Sequence, residues 1–118
     1  MGTVREAAEA LEATLRTVTG VRVYRDPGAA LDPPAVILGP PALTWESNCL
    51  EPTEARFIIS AVGKADERAL ERFWDLGPAL AVALDQVLDA AVIRADPGVW
   101  TAGAAELPAY NIQVDVAL

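Results

Sequence analysis

The closing segment of the chain constrains the fold most, because its apolar and polar residues alternate strictly. Within Leu107–Leu118, five apolar residues are separated by single polar or small ones. They are Tyr110, Ile112, Val114, Val116 and Leu118, alternating with Asn111, Gln113, Asp115 and Ala117. Successive side chains of a strand point to opposite faces of its sheet. The pattern therefore predicts a strand in a sheet that has one face on a core and one polar face, as antiparallel sheets commonly do.

A first helix is predicted over residues 3–18. Thr3 followed by Glu6 is the capping-box pair, in which the two side chains reach otherwise unpaired backbone amides. Apolar residues recur at intervals of three and four and form one stripe: Val4, Ala7, Ala8, Leu11, Leu15 and Val18. Gly20 is placed to end this helix in a left-handed conformation.

A second helix is predicted from a cap at Asp66 to about Leu88. Its core stripe is predicted to be Ala69, Leu70, Phe73, Trp74, Leu80, Ala81, Leu84, Val87 and Leu88. Gly77-Pro78 falls in its middle and should kink or break it, because proline removes a backbone hydrogen bond and clashes with the preceding turn. Leu76, Ala79, Val82 and Ala83 make the other side apolar as well. The half of the helix after the kink should therefore be buried on two sides or covered by a partner.

The remaining segments complete an α+β pattern. Strands are predicted at residues 21–24, 35–39 and 54–64, with a further short one at 43–46 before a loop. Residues 90–101 should be a strand interrupted by a turn or bulge at Asp96-Pro97-Gly98, and residues 25–34 and 102–106 should be loops. Apolar residues on both faces make 54–64 the central strand. We predict a single domain, 1–118, with a mixed or antiparallel sheet of four to five strands and two helices on one face.

Composition excludes several classes of function. The chain has no histidine, which removes histidine-based acid–base catalysis and histidine-ligated metals, and its one cysteine, Cys49, allows no internal disulfide. Nine basic against 17 acidic residues give a net charge of −8, which argues against broad binding to nucleic acid or anionic membranes. The most apolar stretch, residues 76–84, is too short to span a bilayer. We expect a soluble, intracellular protein.

No arrangement of side chains in the sequence predicts an enzyme or a cofactor site. The carboxylate pair Asp85 and Asp89 lies four residues apart on the second predicted helix, but such pairs usually belong to a solvated face. Cys49 has no histidine to activate it. We therefore predict no catalytic residue, no metal and no cofactor.

The tryptophans have two interpretations. Trp74 fits the core stripe of the second helix, whereas Trp45 and Trp100 fall in or near loops and short strands. Those two could pack beneath loops as satellites of the core. Alternatively, they could anchor an interface, because tryptophan is enriched at the energetic centres of protein contacts.

The ordered features resemble the tail terminator (tail-completion) proteins of long-tailed phages, in the version seen in phages of actinobacteria. The resemblance runs over nearly the full chain. It consists of GVRVYRDP (20–27), PPAVILGPP (33–41) with TWES after it, the stretch ARFIISAVGKADERALERFWDLGPALAVAL (55–84) and LPAYNIQVDVAL (107–118). The WDLGP of the second helix, followed by the terminal LPAY strand, is the most characteristic part.

The resemblance implies a structural role without catalysis. Such proteins form a ring, usually a hexamer, that caps the head-proximal end of the tail tube, ends tube polymerisation and contacts the connector of the head. DNA passes through the lumen without specific binding. The protein would lie in the neck of the virion tail, and in the host cytoplasm during assembly. Six copies would carry −48, so an acidic lumen would repel the phosphates and let DNA slide.

A ring requires an interface between two different surfaces of the same chain. The candidate contact residues for subunits or partners are Trp45, Leu76, Val82, Trp100, Asn111, Gln113 and Asp115. Two alternatives stay open. One is another head–tail joining or minor tail protein, and the other is a small intracellular ligand-binding module with residues 25–53 as the rim of a pocket.

Overall fold

The computed structural model describes residues 2–25, 32–102 and 104–118 and has the predicted α+β architecture. Two helices and six strands are present in the described part of the chain. In chain order they are α1 (Val4–Leu15), β1 (Arg22–Tyr24), β2 (Ala35–Leu38), β3 (Ala42–Thr44), β4 (Glu54–Val62), α2 (Ala69–Asp85), β5 (Ala90–Ala102) and β6 (Ala105–Ala117).

The strands form one mixed sheet in the order β1-β2-β4-β6-β5, and β3 pairs with the first residues of β4. β1 runs parallel to β2, and the other pairings are antiparallel. The sheet has six strands instead of the predicted four or five, because both three-residue strands find a partner. β4 is central, as predicted, since β2 and β3 share one of its edges and β6 occupies the other.

The alternation in β6 places its apolar residues on the core, as predicted. Phe57 of β4 lies opposite Val114 of β6, and Ile59 lies opposite Ile112. Because registered neighbours point to the same side of a sheet, the buried residues of the main core reach one face, whereas Ile37, Val62 and Ala109 are buried on the other. The strand residues of the main core are Val23, Val36, Leu38, Ala55, Phe57, Ile59, Ala61, Ile112, Val114 and Val116.

Both helices pack on that face, as predicted. α1 lies over β2, and α2 lies over β5 and β6. Leu11 and Leu15 of α1 share the core with Leu80 and Leu84 of α2. The Thr14 hydroxyl donates a hydrogen bond of 3.0 Å to the Ala83 carbonyl oxygen, which ties the two helices together. The opposite face of the sheet carries no helix within the described residues.

The start of α1 is capped by Thr3, as predicted, but the Glu6 carboxylate contacts the Thr3 hydroxyl and not the Thr3 amide that the capping box predicts. Thr3 has extended backbone angles, and the Glu6 amide donates to its hydroxyl oxygen at 3.1 Å. The Glu6 carboxylate accepts from the Thr3 hydroxyl at 3.1 Å. The helix ends at Leu15, earlier than predicted, and a turn follows. Gly20, with φ of 89°, has the predicted left-handed conformation but lies in that turn.

Thr3→Ala is expected to lower the free energy of unfolding by about 1 kcal/mol, because the Glu6 amide loses its hydrogen-bond acceptor. Thr3→Ser keeps the hydroxyl and is the control. Urea unfolding followed by circular dichroism measures both. An equal loss in the serine variant would show that the methyl group, and not the cap, stabilises the helix start.

α2 differs from its prediction at both ends. It begins at Ala69, because the Asp66 carboxylate accepts the Arg68 amide at 2.9 Å in a turn before the helix. The helix ends at Asp85 and runs without a break through Pro78, so the predicted alternative of two helices is wrong. Asp89 lies beyond the helix with φ of 63°, so Asp85 and Asp89 do not share a helical face.

β5 and β6 form a long hairpin. The sequence predicted that β5 is interrupted at Asp96-Pro97-Gly98, and this is wrong. These three residues pair with Asn111, Tyr110 and Ala109 of β6. The register shift lies earlier, between Val92 and Arg94. β5 extends to Ala102 and β6 starts at Ala105, so the predicted loop over 102–106 is also wrong. Most of the predicted loop over 25–34 lies outside the described residues.

Candidate subunit interface

The outer face of α2 is apolar and exposed. Trp74 is 62% exposed, and Leu70, one turn before it, is exposed as well. The prediction that Leu70, Trp74 and Leu88 belong to the core is therefore wrong. The residues of α2 that do face the core are Ala69, Phe73, Leu76, Leu80 and Leu84. The exposed residues and the residues that face the core both recur at helical spacing, so periodicity alone did not distinguish the two sides of the helix.

The two candidate residues in the middle of α2 have different surroundings. Val82 is 62% exposed, as expected for a surface that a partner could cover. Leu76 is half-buried and packs against the main core, so it is not on the outer face that was predicted for it. Leu70, Trp74 and Val82 are therefore all exposed along one helix.

A second apolar surface surrounds the loop that follows β3. Trp45 is 52% exposed and Leu50 is 99% exposed, and Leu43 of β3 is exposed beside them. We call Leu43, Trp45 and Leu50 the loop patch. All three exposed side chains fall within the short segment 43–50, and a concentration of exposed apolar residues is typical of an interaction surface.

The loop that carries this patch is closed at its base. The Thr53 amide donates to the Thr44 carbonyl at 2.8 Å, and the Leu118 amide donates to the Thr53 carbonyl at 3.0 Å. Within the loop, the Cys49 amide donates to the Glu46 carbonyl at 3.1 Å, and Cys49 is exposed. These backbone bonds hold a compact loop at the end of the sheet where β4 begins.

Trp100 lies on the sheet face opposite the helices. It is half-buried and packs against a small apolar cluster on that face. The cluster consists of Ile37, Val62 and Ala109, with Tyr24, Trp100 and Leu107 around them. This arrangement is the satellite packing that the sequence left open for Trp100.

Two of the polar candidates on β6 form cross-strand pairs, and the third bonds within its own strand. The Ser60 hydroxyl donates to Asn111 Oδ1 at 2.8 Å, and Arg56 Nε donates to Asp115 Oδ1 at 3.0 Å. Gln113 Nε2 donates to Asp115 as well, at 3.4 Å. The Asp115 carboxylate raises the pKa of Arg56, chiefly through its hydrogen bond. These polar side chains thus stabilise the open sheet face, and their pairing explains their presence without a partner.

A small cleft opens at the other end of β4, beneath the start of α2. Its volume is 240 Å³, and it is lined by Pro34, Gly63, Lys64, Ala69, Arg72, Phe73 and Leu76. We call this the basic cleft, because Lys64 and Arg72 are its charged residues. Gly63 is needed where Phe73 forms the wall, since a Cβ at Gly63 would lie 3.0 Å from the Phe73 ring.

The two cations of the basic cleft differ in their partners. Arg72 forms an ion pair with Asp66, and its hydrogen bond holds the pKa of Asp66 below the usual range. Lys64 forms no ion pair with any described residue. Lys64 is the sole lysine of the sequence, and no local pattern predicts that Pro34 and Leu76 lie beside it.

Comparisons with known proteins give no family for the chain. No protein-family model matches it, and no curated protein matches it. Function is therefore inferred from the sequence motifs and from the surfaces described above.

The described residues show no constellation that is typical of a catalytic or metal centre. No group of three or more cysteine, aspartate or glutamate side chains among them is placed to hold a metal ion. No buried side-chain nitrogen or oxygen in this part of the chain lacks a hydrogen-bond partner. No helix in the described ranges is long and apolar enough to cross a bilayer.

The loop patch and the basic cleft lie at opposite ends of the central strand. The loop patch adjoins Glu54, where β4 begins, and the basic cleft adjoins Gly63, directly after β4 ends. A strand of nine residues spans about 27 Å at roughly 3.4 Å per residue. The molecule therefore presents two chemically different surfaces at its two ends.

Proposed function

We propose that this chain is a structural phage protein of the tail-terminator type. It forms a ring, a hexamer in our proposal, on the head-proximal end of the tail tube. The ring ends polymerisation of the tube and joins the tail to the connector of the head. The protein acts in the neck of the virion and catalyses no reaction.

The observation that carries this proposal is the pair of unlike surfaces at opposite ends of β4. A symmetric dimer uses one patch twice, whereas a closed ring needs two different patches that contact each other around the circle. The exposed loop patch and the basic cleft meet that requirement. The outer face of α2, with Leu70, Trp74 and Val82, leaves a third apolar surface for a tube or connector subunit.

The sequence motifs support the same role independently of the surfaces. The resemblance to tail terminators covers nearly the whole chain, from residue 20 to residue 118. Its four segments correspond to β1, to β2 and β3, to β4 and α2, and to β6. The motifs therefore coincide with the elements that build the sheet and its covering helix.

The net charge of −8 fits passage of DNA through a ring. Six copies carry −48, and like charges keep a polyanion from adhering to the wall of a channel. A lumen lined by carboxylates would let DNA slide during ejection.

The test is the length of tail tubes assembled with and without this chain. In a phage that carries the gene, its deletion is expected to give overlong tubes that do not join to filled heads, as seen by negative-stain electron microscopy. Supplying the native chain should restore the normal length. Tubes of normal length that fail to join heads would assign the chain to another head–tail joining protein. Normal, infectious particles would contradict a role in the neck.

A further inference from the structure

We infer that the loop patch of one copy docks into the basic cleft of the next copy, with Trp45 and Glu46 as the inserting residues. This inference deepens the proposed function. It rests on one part of that function, namely that copies of the chain associate with each other. It identifies the surfaces through which they do so.

The loop offers an apolar side chain beside an acidic one, twice. Trp45 is followed by Glu46, and Leu50 is followed by Glu51, and all four residues are exposed. No lysine or arginine occurs in the sequence between Arg25 and Arg56. The loop therefore presents an apolar and purely acidic surface.

The basic cleft offers the complementary chemistry. Phe73, Ala69 and Leu76 give it apolar walls, while Lys64 and Arg72 provide positive charge. Asp66 pairs with Arg72, and the charge of Lys64 also helps to lower the pKa of Asp66, but Lys64 itself forms no ion pair with a described residue. Its 240 Å³ is below the range of about 300–1,000 Å³ that holds a drug-sized molecule, so the cleft suits one large side chain.

The occupant must come from another copy. The loop and the cleft of one chain are separated by the length of β4, about 27 Å, and the base of the loop is fixed to the sheet by backbone hydrogen bonds. A contact between two different surfaces of identical chains is heterologous and continues from copy to copy until the ring closes. A tryptophan in a desolvated pocket is also typical of the energetic centre of an interface.

The decisive experiment mixes two variants of the full chain. Trp45→Ser/Glu46→Lys removes the loop contact, and Lys64→Glu with Arg72→Glu removes the cleft contact. Each variant alone is expected to remain monomeric in sedimentation velocity at concentrations where the native chain forms rings. In the mixture, the first variant still has an intact cleft and the second still has an intact loop. They should therefore form a one-to-one dimer and no larger species.

A charge exchange tests the pairing of the charges directly. Glu46→Lys and Lys64→Glu, each alone, should weaken association by about tenfold or more, because like charges then meet at the contact. The same two changes in one chain should restore most of the lost association. Glu9→Lys, an exposed charge reversal on α1, is the matched control and should leave association within about twofold of the native value.

A second exposed tryptophan distinguishes this contact from general stickiness. Trp74→Ser removes a tryptophan that is at least as exposed as Trp45 but lies on the outer face of α2. It should leave ring formation intact, whereas Trp45→Ser should abolish it. Thermal unfolding of each variant, expected to match the native chain, verifies that these surface changes leave the fold intact.

Several results would overturn the docking contact. They are a native chain that stays monomeric, rings that persist in the Trp45→Ser/Glu46→Lys or the Lys64→Glu/Arg72→Glu variant, or a mixture of these two double variants that forms no dimer. Persistent rings with normal control of tube length would leave the proposed function standing and reject only this contact. The opposite combination is also informative. If the charge exchange restores association but deletion of the gene leaves the tubes unchanged, the contact is retained and the proposed function is rejected.

Discussion

Phe57→Ala is expected to lower the free energy of unfolding by about 3–5 kcal/mol, the range for removing a large side chain from a packed core. Phe57 is fully buried at the middle of β4 and lies opposite Val114 on the helix-covered face. Its ring contributes to the core that both helices share. The neighbours cannot fill the space, because the sheet register fixes the backbone on both sides. The loss is a large share of the roughly 5–15 kcal/mol that stabilises a typical domain.

The neighbouring residue provides a matched control. Ile58 is on the same strand but points to the open face of the sheet and is 41% exposed. Ile58→Ala should therefore lower the free energy of unfolding by about 1 kcal/mol or less, since part of its apolar surface is already in water. Urea unfolding at neutral pH measures both variants. Comparable losses at the two positions would contradict the assignment of the core to one face.

Pro78→Ala is expected to raise the free energy of unfolding by about 1–3 kcal/mol. Pro78 lies in the interior of α2 and is exposed, so its ring makes no buried contact that alanine would lose. Alanine restores the amide that can donate to the carbonyl of Trp74 and removes the clash of the proline ring with that turn. A more flexible unfolded chain offsets part of the gain, by about 0.4–1 kcal/mol.

Gly77→Ala separates helix propensity from the special effect of proline. Gly77 has free space where a Cβ would be placed, so alanine there should add only about 0.5–1 kcal/mol. Differential scanning calorimetry of the two single variants and the double variant measures both effects. Destabilisation by Pro78→Ala would show that the shape that proline imposes on α2 is required for its packing over β5 and β6.

The candidate interface could be predicted from the sequence only in part. The local pattern predicts exposure of Trp45 and Val82, because residues in a loop and on the second apolar side of a helix tend to face solvent, and both are exposed. The basic cleft could not be found in this way. It joins Pro34, Gly63 and Leu76, which lie far apart in the chain and meet only when α2 folds back over the end of β4.

The sequence by itself determined that a sheet forms with β4 at its centre, since the strict alternation in β6 and the apolar run in β2 can be buried only in a sheet. The number of strands and the length of the β5–β6 hairpin were not determined by it. It also determined the start of α1, because a capping pair acts through neighbours three residues apart. Only the tertiary structure decided which side of α2 is buried. Two apolar stripes on that helix have the same period, and the position of α1 and the sheet selects the one with Phe73 and Leu80. The stripe with Trp74 was left in solvent.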